Sequence, residues 1–535
     1  TENHKRYKIN NIFVFPDFFP LKSDSIFPDT ILVNDNEKGQ FYLIYSDRLK
    51  YKARILIRSI TFKKGEYYNL ENVERTYKRF SDLANFKFID IQFLKVEGDT
   101  NGKGNLLNCI IRLTRTQKQS FSIEAEGTNS SGDLGVAGNL VFQNRNVFRG
   151  AEILNLKAKG AMEVQKIVGD ESQEDVIQSS ILPFNTFEAG IEASLNIPGF
   201  LSPIKFDRLI KQHNLITSIT SGYNYQKRPD YTRYIANLSY GYNWSTSKNA
   251  RHLFNPVEIN SIKIFPDSSF NEKIKVFDKK IQNSYSDHLI MGGKYSFIFK
   301  NQKINKLANF IYFRFNGELV GNLLFLTNSL SNSQKNESGS YTLLNIKYAQ
   351  YVRSDFDFRY FNYFGQNKTL GFRCAFGMGI PYLNMDVLPF EKSFYVGGAN
   401  GIRAWRIRDI GPGAYEDPNS TSFDKTGDIG LETSIELRFP IYRLLEGAAF
   451  IDVGNVWYKN KNAQFPGAEF QFDKFYKQLA IGWGLGARFD FSFFIIRTDF
   501  ALKMHDPSKP EGERWIIKNS KLKQINFNFG IGYPF

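Results

Sequence analysis

A glycine-rich segment near residue 400 carries the residues of this chain that are most able to do chemistry. Gly397, Gly398 and Gly401 allow a tight, closely packed backbone. Arg403 and Trp405 follow, and they offer a bidentate cation and a large ring as anchors. Residues of these types fix a loop through charge and packing and leave covalent bonds untouched. These residue types are therefore suited to anchoring a loop, and we predict no catalytic residue among them.

An anchoring arginine needs carboxylates to receive it. Glu436 lies on the polar side of an alternating segment, and Asp452 occupies the matching position of the next segment. Arg403 itself lies in a connection of 46 residues, 382–427, which is far longer than a hairpin needs. The residue types leave two interpretations open. The loop either folds inward onto these carboxylates, or it is a mobile, solvated loop whose arginine binds nothing.

Sequence signatures of an enzyme or a metal centre are not found. The chain has no Gly-x-Ser-x-Gly elbow, no His-Glu-x-x-His pair and no phosphate-binding loop. Its two cysteines, Cys109 and Cys374, cannot form a thiolate cluster, and its five histidines lack ligand spacing. We therefore predict no metal site and no cofactor. The alternative is an enzyme that uses an acid pair formed by scattered Asp and Glu residues; if the chain forms a barrel, as argued below, these would lie in its lumen.

The composition limits the class of protein. The chain has 535 residues, a net charge of +15, 51 phenylalanines and 28 tyrosines. Its mean hydropathy is nevertheless −0.36, so polar residues must separate the apolar ones nearly everywhere. No uninterrupted apolar run is long enough for a membrane-spanning helix. The basic residues are spread out without a nucleic-acid-binding motif, which favours loops that face anionic lipid and argues against nucleic acid as a partner.

Residues 1–117 predict a small α+β domain. Asn69 can cap a helix, and apolar residues from Leu70 to Leu83 recur at spacings of three and four along it. This pattern indicates a helix with one apolar face, ending at about Asn85. Strands are predicted at 9–15, 88–96 and 106–114, with a glycine-rich turn at 98–104.

From residue 118 to 535 apolar and polar residues alternate, which predicts a membrane all-β domain. Phe121 and Ile123 alternate with polar residues near its start, as do Phe527 and Phe529 near its end. Charges repeated on one face of many strands are costly in a sandwich core, but they suit a wet lumen. We predict a 16-stranded antiparallel transmembrane β-barrel with strands near 119–128, 133–143, 150–162, 185–196, 213–226, 231–244, 253–265, 287–299, 309–321, 346–363, 367–381, 428–440, 446–458, 477–489, 491–503 and 523–535.

The first and last strands would meet at the closing seam of such a barrel. Gly127 lies in the first strand, and Gly530 and Gly532 lie in the last; glycine weakens a strand. A seam with few good side-chain pairs opens at modest cost, and its edges can template an incoming strand. The last strand is expected to keep its apolar face as far as Phe535, which we interpret as a C-terminal barrel signal.

The chain resembles the BamA–TamA superfamily of outer-membrane assembly proteins. The resemblance is carried by Phe394-Tyr-Val-Gly-Gly398 and Ile402-Arg403-Ala404-Trp405, at the place of the family's Val-Arg-Gly-Phe/Tyr signature. The Ala-Trp ending departs from the commonest form of the signature but keeps the arginine and the aromatic residue. Three further segments resemble the TamA-like lipoprotein branch of Bacteroidetes: 122–131, 145–150 and 506–515.

This resemblance implies a domain organisation and a site. Residues 1–117 would be one polypeptide-transport-associated (POTRA) domain with an insertion around 17–50, and further POTRA domains would lie upstream of Thr1. The loop 382–427 would fold into the lumen, where Arg403 would pair with Glu436 and Asp452. The barrel would lie in the bacterial outer membrane, with the POTRA domain in the periplasm.

The implied function is assembly of other membrane proteins. A POTRA sheet edge would bind a client strand through main-chain hydrogen bonds, and the open seam would receive it. The implied partners are outer-membrane lipid (lipopolysaccharide is one candidate), unfolded outer-membrane clients and an inner-membrane-anchored protein that spans the periplasm. A polypeptide-secreting barrel and a substrate channel are the alternatives. In a wet lumen, Arg403→Ala would destabilise the loop by about 1–3 kcal/mol.

Overall fold

The structure of the chain is a computed structural model. It describes residues 5–19, 29–96, 105–130, 133–164, 184–201, 215–275, 282, 285–303, 308–337, 339–365, 368–416, 425–491, 493–517 and 524–535. The predicted turn at 98–104 lies outside these residues. None of the helices within them is both long and apolar enough to cross a bilayer.

A five-stranded sheet and two helices form the N-terminal part of the chain, as far as the structure describes it. The sheet has the order β2-β3-β1-β5-β4, and β1 runs parallel to both of its neighbours. Ile12, Leu43, Leu56 and Phe80 are fully buried in one core that strands and helices share. This confirms the predicted α+β class, while a boundary at residue 117 stays a prediction. The elements are β1 (Lys8–Phe15), β2 (Asp29–Asp35), β3 (Gly39–Tyr45), α1 (Ala53–Ser59), α2 (Leu70–Asp82), β4 (Phe86–Lys95) and β5 (Leu106–Arg115).

The longer helix, α2, begins where its sequence predicts. The Asn69 side chain accepts a hydrogen bond from the Glu71 amide at 2.9 Å, as an N-cap residue does. The predicted apolar face was too wide, because Leu70 and Tyr77 remain exposed and only Thr76 and Phe80 of this helix are buried. The core contact therefore follows a narrow stripe along one side of the helix.

The hairpin β2–β3 lies within the insertion that the resemblance indicated. Strand β3 pairs with β1, and β2 forms the outer edge of the sheet. Phe41 and Leu43 of β3 are fully buried, so the hairpin is part of the core. The sequence prediction missed both strands, because residues rich in proline and aspartate precede them and obscure their alternation.

The C-terminal part of the chain is a β-barrel, and the sixteen antiparallel strands among its described residues confirm the predicted number. They follow one another in sequence order around the sheet, with β6 and β23 at its two ends. Most strands lie within a few residues of the predicted bounds. They are β6 (Gln119–Ser130), β7 (Asp133–Arg145), β8 (Ile153–Glu163), β9 (Thr186–Pro198), β10 (Ile216–Lys227), β11 (Tyr231–Ser245), β12 (Ala250–Pro266), β13 (His288–Lys300), β14 (Phe310–Val320), β17 (Tyr351–Phe364), β18 (Lys368–Pro381), β19 (Ile429–Tyr442), β20 (Leu445–Trp457), β21 (Ala480–Asp490), β22 (Ile495–His505) and β23 (Asn526–Ile531).

The barrel strands bury their charges and expose their apolar residues, the reverse of a soluble protein. On β19 and β20, Ile435 and Ile451 are each 46% exposed, whereas the adjacent Glu436 and Asp452 are 0% exposed. A soluble fold would bury the isoleucines and solvate the carboxylates. The alternation instead places apolar side chains toward lipid and charged ones toward the lumen, as in a transmembrane barrel.

The last strand corrects one prediction. It ends at Ile531, four residues short of Phe535, and Gly532 then adopts a φ of +86° that favours glycine. The predicted continuation of the lipid-facing alternation through Phe535 is therefore wrong. A short alternating pattern gives no sign of where a strand leaves the sheet, because the same side chains can also pack inside a lumen.

Short elements occupy the long connections of the barrel. Helix α3 precedes β13, whereas helix α4 and the two-residue strands β15 and β16 lie between β14 and β17. None of the α4 side chains is buried. A 3-10 turn at Phe390–Lys392 lies in the connection between β18 and β19. The bounds are α3 (Ser268–Lys275), α4 (Asn322–Leu330), β15 (Thr342–Leu343) and β16 (Ile346–Lys347).

Candidate functional site in the barrel lumen

The structure places Arg403 inside the barrel, where it contacts both carboxylates that the sequence singled out. Its Nε and Nη2 donate to the two oxygens of Asp452 at 2.8 and 2.9 Å, a bidentate geometry. Its Nη1 donates to Glu436 Oε2. The backbone amide of Arg403 also donates to Asp452 Oδ2 at 3.1 Å. One aspartate therefore fixes both the side chain and the backbone of this residue.

The surroundings keep the Arg403 guanidinium charged. Its Cζ lies 3.3 Å from the centroid of the Phe450 ring, so one face of the cation rests on an aromatic ring. Burial by itself would lower the pKa of Arg403, but the carboxylates of Asp452 and Glu436 raise it above the ordinary arginine value. The guanidinium of Arg403 therefore stays positively charged between its two carboxylate partners.

Arg403 belongs to a larger buried cluster of charges. Arg488 Nη1 lies 2.6 Å from Asp499 Oδ1, and Arg438 Nε lies 2.8 Å from Glu436 Oε1. Arg497 Nη1 is 3.5 Å from the other oxygen of Asp499. All of these side chains are at most 7% exposed. The cluster contains four arginines and three carboxylates: Arg403, Arg438, Arg488, Arg497, Glu436, Asp452 and Asp499.

The glycines of the loop lie where a larger residue could not. Gly397 has a φ of +100°, and a Cβ there would lie 2.3 Å from the Arg406 carbonyl oxygen. Gly398 has a φ of +87°, and its amide donates to the Trp405 carbonyl at 3.0 Å. Gly401 faces Glu432 of β19, whose Oε1 would be 2.4 Å from a Cβ. These contacts turn the backbone so that Arg403 points at the barrel wall.

Trp405 packs into the apolar half of the same site. It is 3% exposed and shares a core cluster with Ile402 and Ala404 of the loop and with Phe450 of the wall. Gly482 of β21 makes room for this packing, because a Cβ there would lie 2.7 Å from the Ala404 Cβ. Gly482 therefore accommodates the loop.

The carbonyl of Arg403 links the loop to the last strand. Asn526 and Asn528, on the lumen side of β23, donate their side-chain amides to it at 2.7 and 2.9 Å. A single loop residue thus contacts β19 and β20 through its guanidinium and β23 through its carbonyl. Phe527 and Phe529, on the other side of β23, are 55% and 45% exposed.

A second set of ion pairs holds the start of the loop. Lys392 Nζ lies 2.9 Å from Glu318 Oε2 on β14. Glu391 accepts from Arg233 at 3.0 Å and contacts His288 Nε2 at 3.2 Å. The loop is therefore fixed at its 3-10 turn as well as at Arg403.

The sequence singled out Arg403, Glu436 and Asp452 of this cluster, and it did not single out most of the residues around them. It placed Phe121 and Ile123 of β6 on the lipid side, where they are 62% and 74% exposed. Alternation alone also put Arg438 on the same face as Glu436, which could have indicated its role. No comparable signal connects residues from distant strands. The residues missed are Phe450, Arg488, Arg497, Asp499, Asn526 and Asn528.

A sixteen-stranded barrel with an apolar exterior and an arginine-anchored loop in its lumen defines a class of membrane β-barrel proteins. The sequence profile of the Omp85 superfamily domain matches residues 185–535, which is more than half of the chain. The chain therefore belongs to the Omp85 superfamily, a family of outer-membrane barrels that are in general not enzymes. No curated protein sequence matches it significantly.

Solved structures share the fold at low sequence identity. BamA from Haemophilus ducreyi, crystallised without its POTRA domains 1–3, matches with a TM-score of 0.56 and 13% identity, over 94% of this chain and 88% of that one. CdiB from Escherichia coli matches with a TM-score of 0.50 and 11% identity, over 98% of this chain and 90% of that one. At such identities the likeness concerns the fold alone.

Proposed function

We propose that this protein is an outer-membrane assembly factor that helps β-barrel or translocated proteins to insert and fold. One observation carries the proposal. Arg403 binds the barrel wall through Glu436 and Asp452, and its carbonyl binds Asn526 and Asn528 of the last strand. A loop that joins the wall to the last strand can stabilise one position of that strand.

The last strand is well suited to move. β23 has six residues, whereas the other barrel strands have 11 to 17. A short strand offers few ladder hydrogen bonds, so the seam between β6 and β23 opens at modest cost. The edges so exposed are templates for an incoming client strand. Phe121, Ile123, Phe527 and Phe529 would border this opening on its lipid side.

The N-terminal sheet supplies the second element of the mechanism. Strand β4 forms one edge of it, and an extended client segment can add to such an edge through main-chain hydrogen bonds. This binding is indifferent to client sequence, as an assembly factor requires. We infer a periplasmic POTRA domain within 1–117 and a TamA-like branch, with an inner-membrane-anchored partner and outer-membrane lipid as further partners.

A polypeptide-secreting barrel is the second candidate. The match to CdiB from Escherichia coli covers 98% of this chain, and the match to BamA covers 94%. The fold is therefore compatible with either function. In a secretion barrel the loop would leave the lumen to make way for a passenger, and the seam would stay closed.

The test is an assembly assay with the full chain in liposomes. Folding of a denatured outer-membrane barrel protein is followed by its resistance to protease. Arg403→Ala is compared with Arg406→Ala, which removes an exposed arginine from the same loop. The proposal expects the wild type and Arg406→Ala to accelerate client folding and Arg403→Ala to do so less. Equal acceleration by all three would contradict the role of the loop, and no acceleration by any would favour secretion.

A further inference from the structure

Helix α4 contains no charged residue, and three of its leucines point away from the protein. Leu323, Leu326 and Leu330 are 69%, 54% and 77% exposed. Their spacing of three and four residues places them in one line along the helix, which we call the leucine stripe. A helix that packs on a soluble protein turns such a stripe toward the core. The orientation of α4 is the reverse.

The opposite side of α4 is fixed by contacts with the protein. The ring of Phe325 lies 5.4 Å from that of Tyr341, in an edge-on geometry. Asn328 Nδ2 donates a hydrogen bond to the hydroxyl of Tyr348 at 3.3 Å, and Tyr348 is fully buried. At 3.6 residues per turn, Phe325 and Asn328 lie across the helix from the leucine stripe. These contacts set the rotation of the helix and hold the stripe outward.

The leucine stripe continues the lipid-facing surface of the barrel. Leu319, on the outer side of β14, is 58% exposed, and it pairs with Val352 of β17, which is 38% exposed. Leu323 follows Leu319 by four residues, and no charged residue lies between them. The stripe therefore begins where the apolar exterior of β14 ends, at the boundary of the membrane.

The connection between β18 and β19 reaches the same end of the barrel, because two antiparallel strands separate it from α4. It begins with a further outward leucine, Leu383, which is 69% exposed. Tyr382, next to it, donates its hydroxyl to Asn322 Oδ1 of α4 at 2.6 Å. Asn384 Nδ2 donates to the carbonyl of Tyr341 at 3.0 Å. The first residues of the connection that carries Arg403 are thus bonded to α4 and its support.

We propose that α4 is an interfacial helix, which inserts its leucine stripe among the lipid acyl chains that surround the barrel. A helix with one apolar face lies in the plane of the membrane interface with that face in the acyl boundary. Through Tyr382 and Asn384, the lipid-bound helix also fixes the start of the connection that carries Arg403. The inference goes beyond the proposed function and does not rest on it, because a secretion barrel would use the helix in the same way.

The experiment attaches the dye nitrobenzoxadiazole to one cysteine of the full chain in phosphatidylcholine liposomes. Leu326→Cys labels the leucine stripe. Ser329→Cys is the matched control, because Ser329 is an exposed residue of the same helix about a quarter turn from the stripe. Both variants carry Cys374→Ala, and Cys109 is fully buried and out of reach of the dye.

Two quenchers then report what covers each dye. Doxyl-labelled phosphatidylcholine is expected to quench the dye at position 326 at least threefold more than at 329, and aqueous iodide to do the reverse. Equal quenching by iodide at the two positions would overturn the inference, because the stripe would face water. Protection of position 326 from both quenchers would also overturn it, because protein, such as a second copy of this chain, would then cover the stripe.

A second measurement needs no dye. Leu326→Gln keeps the helix propensity of the residue and removes its apolar surface, and Ser329→Gln is its control. We expect hydrogen exchange of the α4 amides in liposomes to be about tenfold faster in Leu326→Gln than in Ser329→Gln, because lipid no longer holds the helix. Heat-modifiable mobility verifies that both barrels are folded. Equal exchange in the two folded variants would contradict the inference.

Discussion

Arg403 is a charged side chain withdrawn completely from solvent, and its burial has to be compensated residue by residue. Asp452 takes two guanidinium nitrogens, Glu436 takes the third, and the Phe450 ring covers one face. Removing such a cation leaves Asp452 buried without its partner, although Glu436 keeps Arg438 and Arg488. An unpaired buried charge costs more than the lost contacts. The effect should therefore exceed the sequence-based expectation of about 1–3 kcal/mol, which assumed a wet lumen.

We predict that Arg403→Ala lowers the free energy of unfolding of the barrel by about 3–5 kcal/mol, because Asp452 loses its partner in a dry site. The measurement is the urea midpoint of the protein in detergent micelles, followed by the heat-modifiable mobility of the folded barrel. The matched control is Arg406→Ala, whose side chain is exposed. A midpoint equal to that of the control would contradict the buried ion pair.

At the scale of elements, the loop is held because two strands make room for one of its rings. Gly377 of β18 and Gly430 of β19 are paired across the ladder. A Cβ on Gly377 would lie 2.1 Å from Phe394 Cε1, and one on Gly430 would lie 2.9 Å from the Phe394 Cβ. Phe394 also exchanges two backbone hydrogen bonds with Gly427, at 2.9 and 2.8 Å, which closes the base of the loop.

We predict that Gly377→Ala displaces Phe394 and loosens the loop by about 1–3 kcal/mol, the cost of overpacking a filled site. Trypsin should then cleave after Arg406 roughly tenfold faster than in the wild type, since cleavage follows the open population. Gly317→Ala on β14 is the control, because a Cβ there would make only ordinary contacts at 3.5 Å. Equal cleavage rates for the two variants would show that Phe394 does not hold the loop.

At the scale of the whole molecule, the barrel differs from an open pore in what fills its lumen. The loop contributes Ile402, Ala404 and Trp405 to a core shared with the wall, and Phe535 lies against Phe361 of β17. Water-filled barrels of this strand number conduct ions freely. A barrel occupied by a packed loop should not.

We predict small, irregular currents from the wild type in planar bilayers, because the packed loop obstructs the lumen. Replacing residues 394–412 by a short glycine–serine linker should give larger and steadier conductance. Shortening α4, which has no buried side chain, is the control and should leave the currents small. Large, steady currents from the wild type itself would indicate an open channel.

The sequence predicted much of this protein because its decisive signals are local. The alternation of apolar and polar residues predicted sixteen strands, as the sheet has. It also predicted that the apolar side chains of the first and last strands face outward, and Phe121, Ile123, Phe527 and Phe529 are exposed. Side-chain capping gave the start of α2 at Asn69. Errors arose where a pattern was too short or was obscured, as in the hairpin β2–β3 and in the last strand beyond Ile531.

By itself, therefore, the sequence determined the class of fold and the number of strands, since periodicity and residue type act within a few neighbouring residues. Residue types left the role of Arg403 open, and only the family resemblance implied its carboxylate partners. Only the tertiary structure decided which strands meet inside the lumen. Arg488 and Asp499 join the cluster, Asn526 contacts the loop across 123 residues, and Phe535 turns inward to β17 and β18. These contacts depend on the arrangement of the strands around the lumen, which brings together residues that no local pattern connects.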